Sequence, residues 1–349
     1  MEKRIKITYI CKDVNNINLR ENIPHDYVPV AGDVGIFEVI KIGKHKTIQA
    51  HTKRNSTVIP GDFIMAAFGT RYATAQFEGY LPVSANEELH ILGAGGTVGV
   101  IKSMHHNYLE IGPTTLHCVA LACDDDGNII NTKSIHKNTM VSFRGAAACA
   151  TKVILSLGSS MDSGKTTSAA YLVHGLKAAG NNVAFIKLTG TVYTKDCDLV
   201  LDLGADITAD FSDFGFPSTY MCSEQELLDL YESLLIKVMS CNPDYVVMEI
   251  ADGLYERETK MLLQNCDFKN TIEAVLFSAA DSLSAINGIE VLERWGIRPF
   301  AISGLLTASP LLMKEVKENT DIKVLTIDTL ASKFVLNNTL LTEKMLVTS

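Results

Sequence analysis

One stretch constrains this chain more than any other: a glycine-, serine- and lysine-rich run set between a strand pattern and a helix pattern. Val153-Ile154-Leu155-Ser156-Leu157 is apolar, Gly158-Ser159-Ser160-Met161-Asp162-Ser163-Gly164-Lys165-Thr166-Thr167 follows, and Ala169, Leu172, Val173 and Leu176 continue at helical spacing. Strand, tight loop and helix in that order put a helix N-terminus at the end of the loop, where backbone N–H groups converge on an anion. The run predicts a cradle for nucleotide phosphates, with Gly158 to Thr167 as the binding segment. Gly164 admits close approach, the Lys165 ammonium reaches the β- and γ-phosphates, and the Thr166 hydroxyl ligates Mg²⁺. Five residues separate Gly158 from Gly164, one more than in the usual phosphate loop, and Ser159 stands at the usual first-glycine position.

From Val153 onward apolar strands alternate with helical stretches, which predicts an α/β P-loop domain with a mainly parallel sheet and helices on both faces. Strands are expected at 183–186, 245–248, 274–278, 298–303 and 323–327. A helix is expected at 224–240, opened by the capping-box pattern Ser223-Glu224-Gln225-Glu226. Before about Gly145 the pattern is β-rich, with short strands at 34–40, 47–51, 63–68, 88–92, 97–102 and 116–122 and turns at Gly32-Asp33, Gly61-Asp62 and Asp126-Gly127. A smaller barrel or sandwich domain is the expected result. The expected division is therefore 1–146, a β-rich substrate, lid or interaction domain, and 147–349, the nucleotide-binding domain, with 144–150 as a short hinge. Gly93-Ala94-Gly95-Gly96-Thr97-Val98-Gly99 lacks the βαβ setting of a dinucleotide loop and is expected to be a flexible loop over the nucleotide crevice.

A phosphate loop supplies only part of a metal site, because Mg²⁺ prefers near-octahedral oxygen coordination. Glu249, at the end of an expected strand, is the leading carboxylate to join Thr166, with Asp196 and Asp198 behind it in an expected polar loop at 191–198. Lys187, at another strand's carboxyl end, is placed to stabilise charge during phosphoryl transfer. Lys165, Lys187 and Glu249 form the expected catalytic set. Asp210, Asp213, Ser218, Thr219, Asp252 and Arg257 are candidate substrate-contacting residues. Against each stands a plain alternative: aromatic anchoring by Phe211, Phe214 and Phe216 in the 210–220 segment, and an ordinary helix start at 257–259. His105, His106, Glu110 and His117 have metal-ligand chemistry but no metal-specific spacing.

The longer glycine spacing resembles dethiobiotin synthetase and its relatives. Lys187-Leu188-Thr189-Gly190-Thr191 resembles their second-strand lysine segment, Glu249 their acidic third-strand residue, and Ala251-Asp252-Gly253 the turn after it. With Asp210-Phe211-Ser212-Asp213-Phe214-Gly215 and Ser218-Thr219-Tyr220, the strings are most similar to a little-characterised bacterial P-loop group within that superfamily. The resemblance implies ATP as the nucleotide. Thr194-Lys195-Asp196-Cys197 lacks the terminal Asp of a guanine-reading motif, and GTP stays open. The expected function is transfer of, or activation through, the γ-phosphate on a small molecule, as in a kinase or an ATP-dependent ligase. The alternative is a nucleotide-hydrolysing switch or assembly factor that acts on a protein partner.

Charge and hydropathy narrow the remaining classes. The chain has 349 residues, 47% of them hydrophobic, and a formal net charge of −9. The first 150 residues are close to charge balance, so the acidic excess lies in the nucleotide half. That half has no basic stripe, which argues against DNA or RNA as a partner. No apolar run reaches membrane-spanning length, and the start Met1-Glu2-Lys3-Arg4-Ile5-Lys6 leads into a strand pattern without a signal-peptide core. The expectation is a cytoplasmic protein with a small-molecule substrate and no membrane partner, and a homodimer stays open. The 8 cysteines include no Cys-x-x-Cys pair and are read as isolated thiols.

Overall fold

The run Phe63–Phe68 is buried at every residue, as a strand must be when one face looks into a barrel and the other is covered. In the computed structural model, which describes residues 4–333, the strands of the N-terminal half are β1 (Ile5–Ile7), β2 (Asn18–Arg20), β3 (Val34–Lys41), β4 (Thr47–Gln49), β5 (Asn55–Thr57), β6 (Phe63–Phe68), β7 (Arg71–Tyr72), β8 (Phe77–Tyr80), β9 (Leu89–Gly93), β10 (Thr97–Met104) and β11 (Thr115–Cys123). Five of them close on themselves: β6 pairs with β3, β3 with β11, β11 with β9, β9 with β10, and β10 returns to β6 in parallel. Of the two architectures open to the sequence, the chain builds the barrel. Its interior holds Phe37, Val39, Ile64, Ala66, Phe68, Ile91, Val98 and Leu116, and Phe37 meets Phe68 edge-on at 5.2 Å between ring centroids.

Gly93 to Gly99 is not one loop: Gly93 ends β9, residues 94–96 make the turn, and Thr97 to Gly99 begin β10. Its glycines serve close packing. A Cβ on Gly95 would lie 2.1 Å from the Val192 carbonyl oxygen, and one on Gly96, at φ +108, would lie 2.1 Å from Thr8 Oγ1.

The C-terminal sheet comprises β12 (Lys152–Gly158), β13 (Val183–Lys187), β14 (Ile207–Asp210), β15 (Tyr245–Glu249), β16 (Ala274–Ser278), β17 (Ala301–Ser303) and β18 (Lys323–Val324), in the order β14-β13-β15-β12-β16-β17-β18. Every pairing is parallel. β13, β15 and β16 are buried throughout and β12 nearly so, the signature of a parallel sheet covered on both faces. The chain alternates these strands with helices. Those named below are α1 (Thr132–Ile135), α2 (Lys165–Ala178), α3 (Lys195–Asp202), α4 (Glu224–Val238) and α5 (Arg257–Gln264). Ala169, Leu172, Val173 and Leu176 of α2 pack on Ile154, Phe185, Val247 and Leu276 of the sheet.

Three local expectations change. Residues 195–198 lie in α3 rather than in a loop. The strand expected from 298 begins at Ala301, after Pro299, which has no N–H for a ladder. The one expected at 323–327 stops at Val324, because Thr326 caps the short helix Ile327–Leu330 by accepting the Thr329 N–H at 3.2 Å.

Contacts group the chain into two compact units, one of Met1–Met140 with Gly190–Thr194 and Phe211–Met221, the other of Val141–Thr189 with Lys195–Asp210 and Cys222–Ser349. Among the described residues no helix is long and apolar enough to cross a membrane.

Candidate functional site

Neighbouring strands β12 and β15 send their connections in opposite directions, β12 to β13 on one side and β15 to β16 on the other. A crevice opens at the carboxyl ends of such strands, where open α/β sheets bind ligands. The phosphate-loop run fills that position, from Gly158 at the end of β12 to Lys165 at the start of α2. Gly164 precedes the helix at φ +93, a conformation glycine adopts without strain. A Cβ on Gly158 would meet Ser163 Oγ at 2.3 Å, so the loop winds tightly over its own first glycine. Lys165 is 6% exposed, and its Nζ donates to the Ser160 carbonyl at 3.2 Å.

Strand register assembles the other charged groups. Asp210, Lys187, Glu249 and Ser156 stand side by side across β14, β13, β15 and β12. Lys187 pairs with Asp196 at the start of α3. Burial works to lower the Lys187 ammonium, but Asp196 and Glu249 beside it outweigh burial and hold it above the ordinary lysine range. Glu249 is 1% exposed. Burial raises its carboxyl above the ordinary range, Asp196 adds to the rise, and Lys187, Lys165 and the Thr166 hydroxyl oppose it. Its Oε2 is buried without a hydrogen-bond partner among the described residues, as are the hydroxyls of Ser159, Ser163 and Ser278.

These orphaned oxygens test whether the residues suit a metal and a phosphate group, and they do. A buried carboxylate with a bare oxygen beside a threonine hydroxyl offers a divalent cation the hard oxygen ligands it prefers. Among the described residues no three His, Cys, Asp or Glu side chains group to hold a metal alone. A cation at Thr166 and Glu249 would therefore draw its other ligands from phosphate oxygens and water. Asp196 is engaged by Lys187 rather than by Thr166.

The candidate substrate residues are divided between the two units. Asp213, Ser218 and Thr219 belong to the N-terminal unit. There Lys12 Nζ meets Asp213 at 3.1 Å, the Tyr220 N–H donates to Ser218 Oγ at 3.1 Å, and the Gly190 N–H donates to Thr219 Oγ1 at 2.9 Å. Asp210, Asp252 and Arg257 belong to the other unit. Asp210 ends β14, Asp252 lies in the turn after β15, and Arg257 opens α5, donating to the Cys222 carbonyl at 2.8 Å and pairing with Glu258.

Of the other groups that shape the site, Gly304, Leu305 and Ser278 carried no motif, whereas Thr189, Ala251 and Gly253 stand in the strings that carry the resemblance. Gly304 follows β17 at φ +96, and a Cβ there would lie 2.4 Å from the Ser163 carbonyl oxygen. The Leu305 N–H donates to that oxygen at 3.1 Å, and the Ser159 N–H donates to the Ser278 carbonyl at 2.9 Å. Gly253 packs on the loop from the other side, 2.8 Å from the Ser159 carbonyl oxygen for a Cβ built there. Thr189 Oγ1 donates to the Ala251 carbonyl at 2.7 Å and accepts the Ala251 N–H at 2.9 Å. The available signal was positional: small residues where expected strands end.

No family profile matches the chain, and no curated protein matches it. Solved structures are similar over about half of it. A DUF1611-family protein from Anabaena variabilis aligns at 14% identity and a TM-score of 0.37, over 56% of this chain and 57% of its own. The hydrogenase maturation factor HypB from Archaeoglobus fulgidus aligns at 11% identity and 0.34, over 55% of this chain and 86% of its own. A ParA-family ATPase from Chlorobium tepidum aligns at 12% identity and 0.31, over 53% and 92%. The P-loop character of the C-terminal unit stands on its own strand–loop–helix geometry.

Proposed function

We propose that the C-terminal unit binds a Mg²⁺–nucleoside triphosphate on its phosphate loop and transfers, or activates through, the γ-phosphate on a small molecule. The observation that carries this reading is the convergence of Lys165, Lys187, Thr166 and Glu249 on one strand-end crevice, with bare buried oxygens among them. Loop N–H groups and Lys165 bind phosphate oxygens, Thr166 and Glu249 orient a cation, and Lys187 faces charge that develops on transfer. Bound Mg²⁺ would neutralise phosphate charge. The resemblance to dethiobiotin synthetase supports ATP and this division of roles.

A second reading, a nucleotide-driven switch, is favoured by chain connectivity. After β13 and after β14 the chain runs into Gly190–Thr194 and Phe211–Met221, which belong to the N-terminal unit. One experiment separates the two. ATP and GTP consumption is measured with and without a metabolite mixture, and the mixture is followed by mass spectrometry. A metabolite altered in proportion to nucleotide consumed supports the enzyme, and turnover indifferent to every metabolite supports the switch. Absence of nucleotide binding at Lys165 overturns both.

A further inference from the structure

Three residues beyond the Ala251-Asp252-Gly253 turn the chain enters α5 through two glutamates. Glu256 is 8% exposed and Glu258 is wholly buried, and their carboxyl groups hydrogen-bond each other. That bond needs a proton, and two buried carboxyls in contact do not both ionise. Arg257 pairs with Glu258, which places the proton of the contact on Glu256. Burial, then the hydrogen bond and charge of Glu258, push Glu256 up to about 9. On α4, which packs against α5, Glu224 is engaged by Asn265 at 2.6 Å, and Asp229 and Glu232 receive backbone N–H groups of residues 143–147. Lys260 follows on α5 itself, and the preceding turn carries Asp252.

Glu256 Oε2 receives the Thr259 N–H at 2.8 Å and faces Thr259 Oγ1 at 3.0 Å, while the same hydroxyl lies 3.2 Å from the Ala251 carbonyl oxygen. A threonine hydroxyl has a single proton to donate. A neutral acid accepts it weakly and leaves it for Ala251, whereas a carboxylate draws it away. Ala251 matters because it stands between Glu249 and Gly253, and Gly253 abuts the phosphate loop.

We propose that protonated Glu256 is a positioning residue of the site: it releases the Thr259 hydroxyl to Ala251 and so fixes the 251–253 turn against the phosphate loop. The proposal rests on reading that loop as the nucleotide site. The test is hydrogen exchange of a 249–255 peptide in the full chain from pH 7 to 10, corrected for base catalysis, beside Mg²⁺–ATP turnover over the same range. In the wild type, protection falls roughly fivefold or more, the size of one hydrogen bond, through a step near pH 9, and turnover falls with it. Glu256→Gln, whose amide mimics the neutral acid, abolishes the step in both. Should that variant not fold, Glu258→Gln removes the neighbouring charge and moves the step to lower pH. A step that persists in Glu256→Gln, or stays put in Glu258→Gln, overturns the proposal. So does a protection step with no counterpart in measurable turnover. A wild type that binds neither ATP nor GTP, and whose protection step still vanishes in Glu256→Gln, supports the clamp and overturns the nucleotide reading.

Discussion

Lys165 donates to the Ser160 carbonyl and forms no ion pair among the described residues, so its charge is available to an anion. Lys165→Ala should lower nucleotide turnover by about 100–1000-fold, the range for deleting one electrostatic stabiliser of a transition state, with the fold kept. Calorimetry and steady-state turnover check it, and unchanged values for both remove the loop from the site. Two glycines separate backbone strain from collision. Gly180 (φ +91) has nothing within 4 Å of an added Cβ, whereas at Gly304 (φ +96) that Cβ lies 2.4 Å from the Ser163 carbonyl oxygen and 2.7 Å from the Ala279 nitrogen. Gly180→Ala should cost about 1–2 kcal/mol through conformation alone. Gly304→Ala should cost more and weaken nucleotide binding as well, because the obstacles are backbone. Thermal melts and nucleotide titrations of the two variants decide this, and equal effects would refute the packing argument. The sequence marked Lys165 and Gly164 because a local motif carries them. Gly304 was hidden because its reason is Ser163, 141 residues away in the chain.

At the scale of elements, the capping box of α4 was legible because its partners are local: Ser223 Oγ accepts the Glu226 N–H at 3.2 Å, and Glu226 returns to the Ser223 N–H at 3.0 Å. Most strand positions were legible for the same reason, since apolar runs and turn residues mark them. What α4 does next was not. Glu232, 3% exposed, accepts the N–H groups of Gly145 at 2.9 Å and Ala147 at 3.1 Å, clamping a segment that reads as a hinge. Glu232→Ala should cost about 1–3 kcal/mol for each donor left bare, and Glu232→Gln, which keeps one acceptor oxygen, less. Urea midpoints check the order. The glutamate pair of α5 has a pH consequence of opposite sign to that of an ordinary paired carboxylate. Glu256 is raised from 4.5 to about 9, so across that window the folded chain holds a proton that the unfolded chain releases. Stability therefore falls as pH rises through it. Glu256→Gln should remove that slope, and a mutant melting curve with the same pH dependence as the wild type would contradict the assignment.

At the scale of the whole molecule, the informative fact is which residues fold with which. Apolar periodicity divides the chain near residue 146 because the pattern changes there from strands alone to strands with helices, but periodicity cannot show that 190–194 and 211–221 return to the first unit. In the second of these segments Phe211 and Phe216 are 1% exposed and Phe214 is 6% exposed. Their surroundings come from the first unit: Thr132 Oγ1 donates to the Gly215 carbonyl at 2.5 Å, Lys133 lies 4.4 Å from the Phe216 ring centre, and Thr97 Oγ1 donates to the Pro217 carbonyl at 2.8 Å. A chain begun at residue 147 retains the phosphate loop, β12 to β18 and these three phenylalanines, but loses the first-unit groups, Thr97, Thr132, Lys133 and His136 among them, that meet the segment. Each buried phenylalanine so exposed forfeits about 1.5–3 kcal/mol, and a contiguous aromatic patch of that kind promotes association. The truncated chain should therefore aggregate or bind a hydrophobic dye strongly. Replacing 211–221 by a glycine–serine linker of equal length in the same truncation should restore a monomer that still binds Mg²⁺–nucleotide. Size exclusion and dye fluorescence on the two truncations decide the matter. A monomeric, dye-silent chain with 211–221 intact would show that those residues find cover within the C-terminal unit alone.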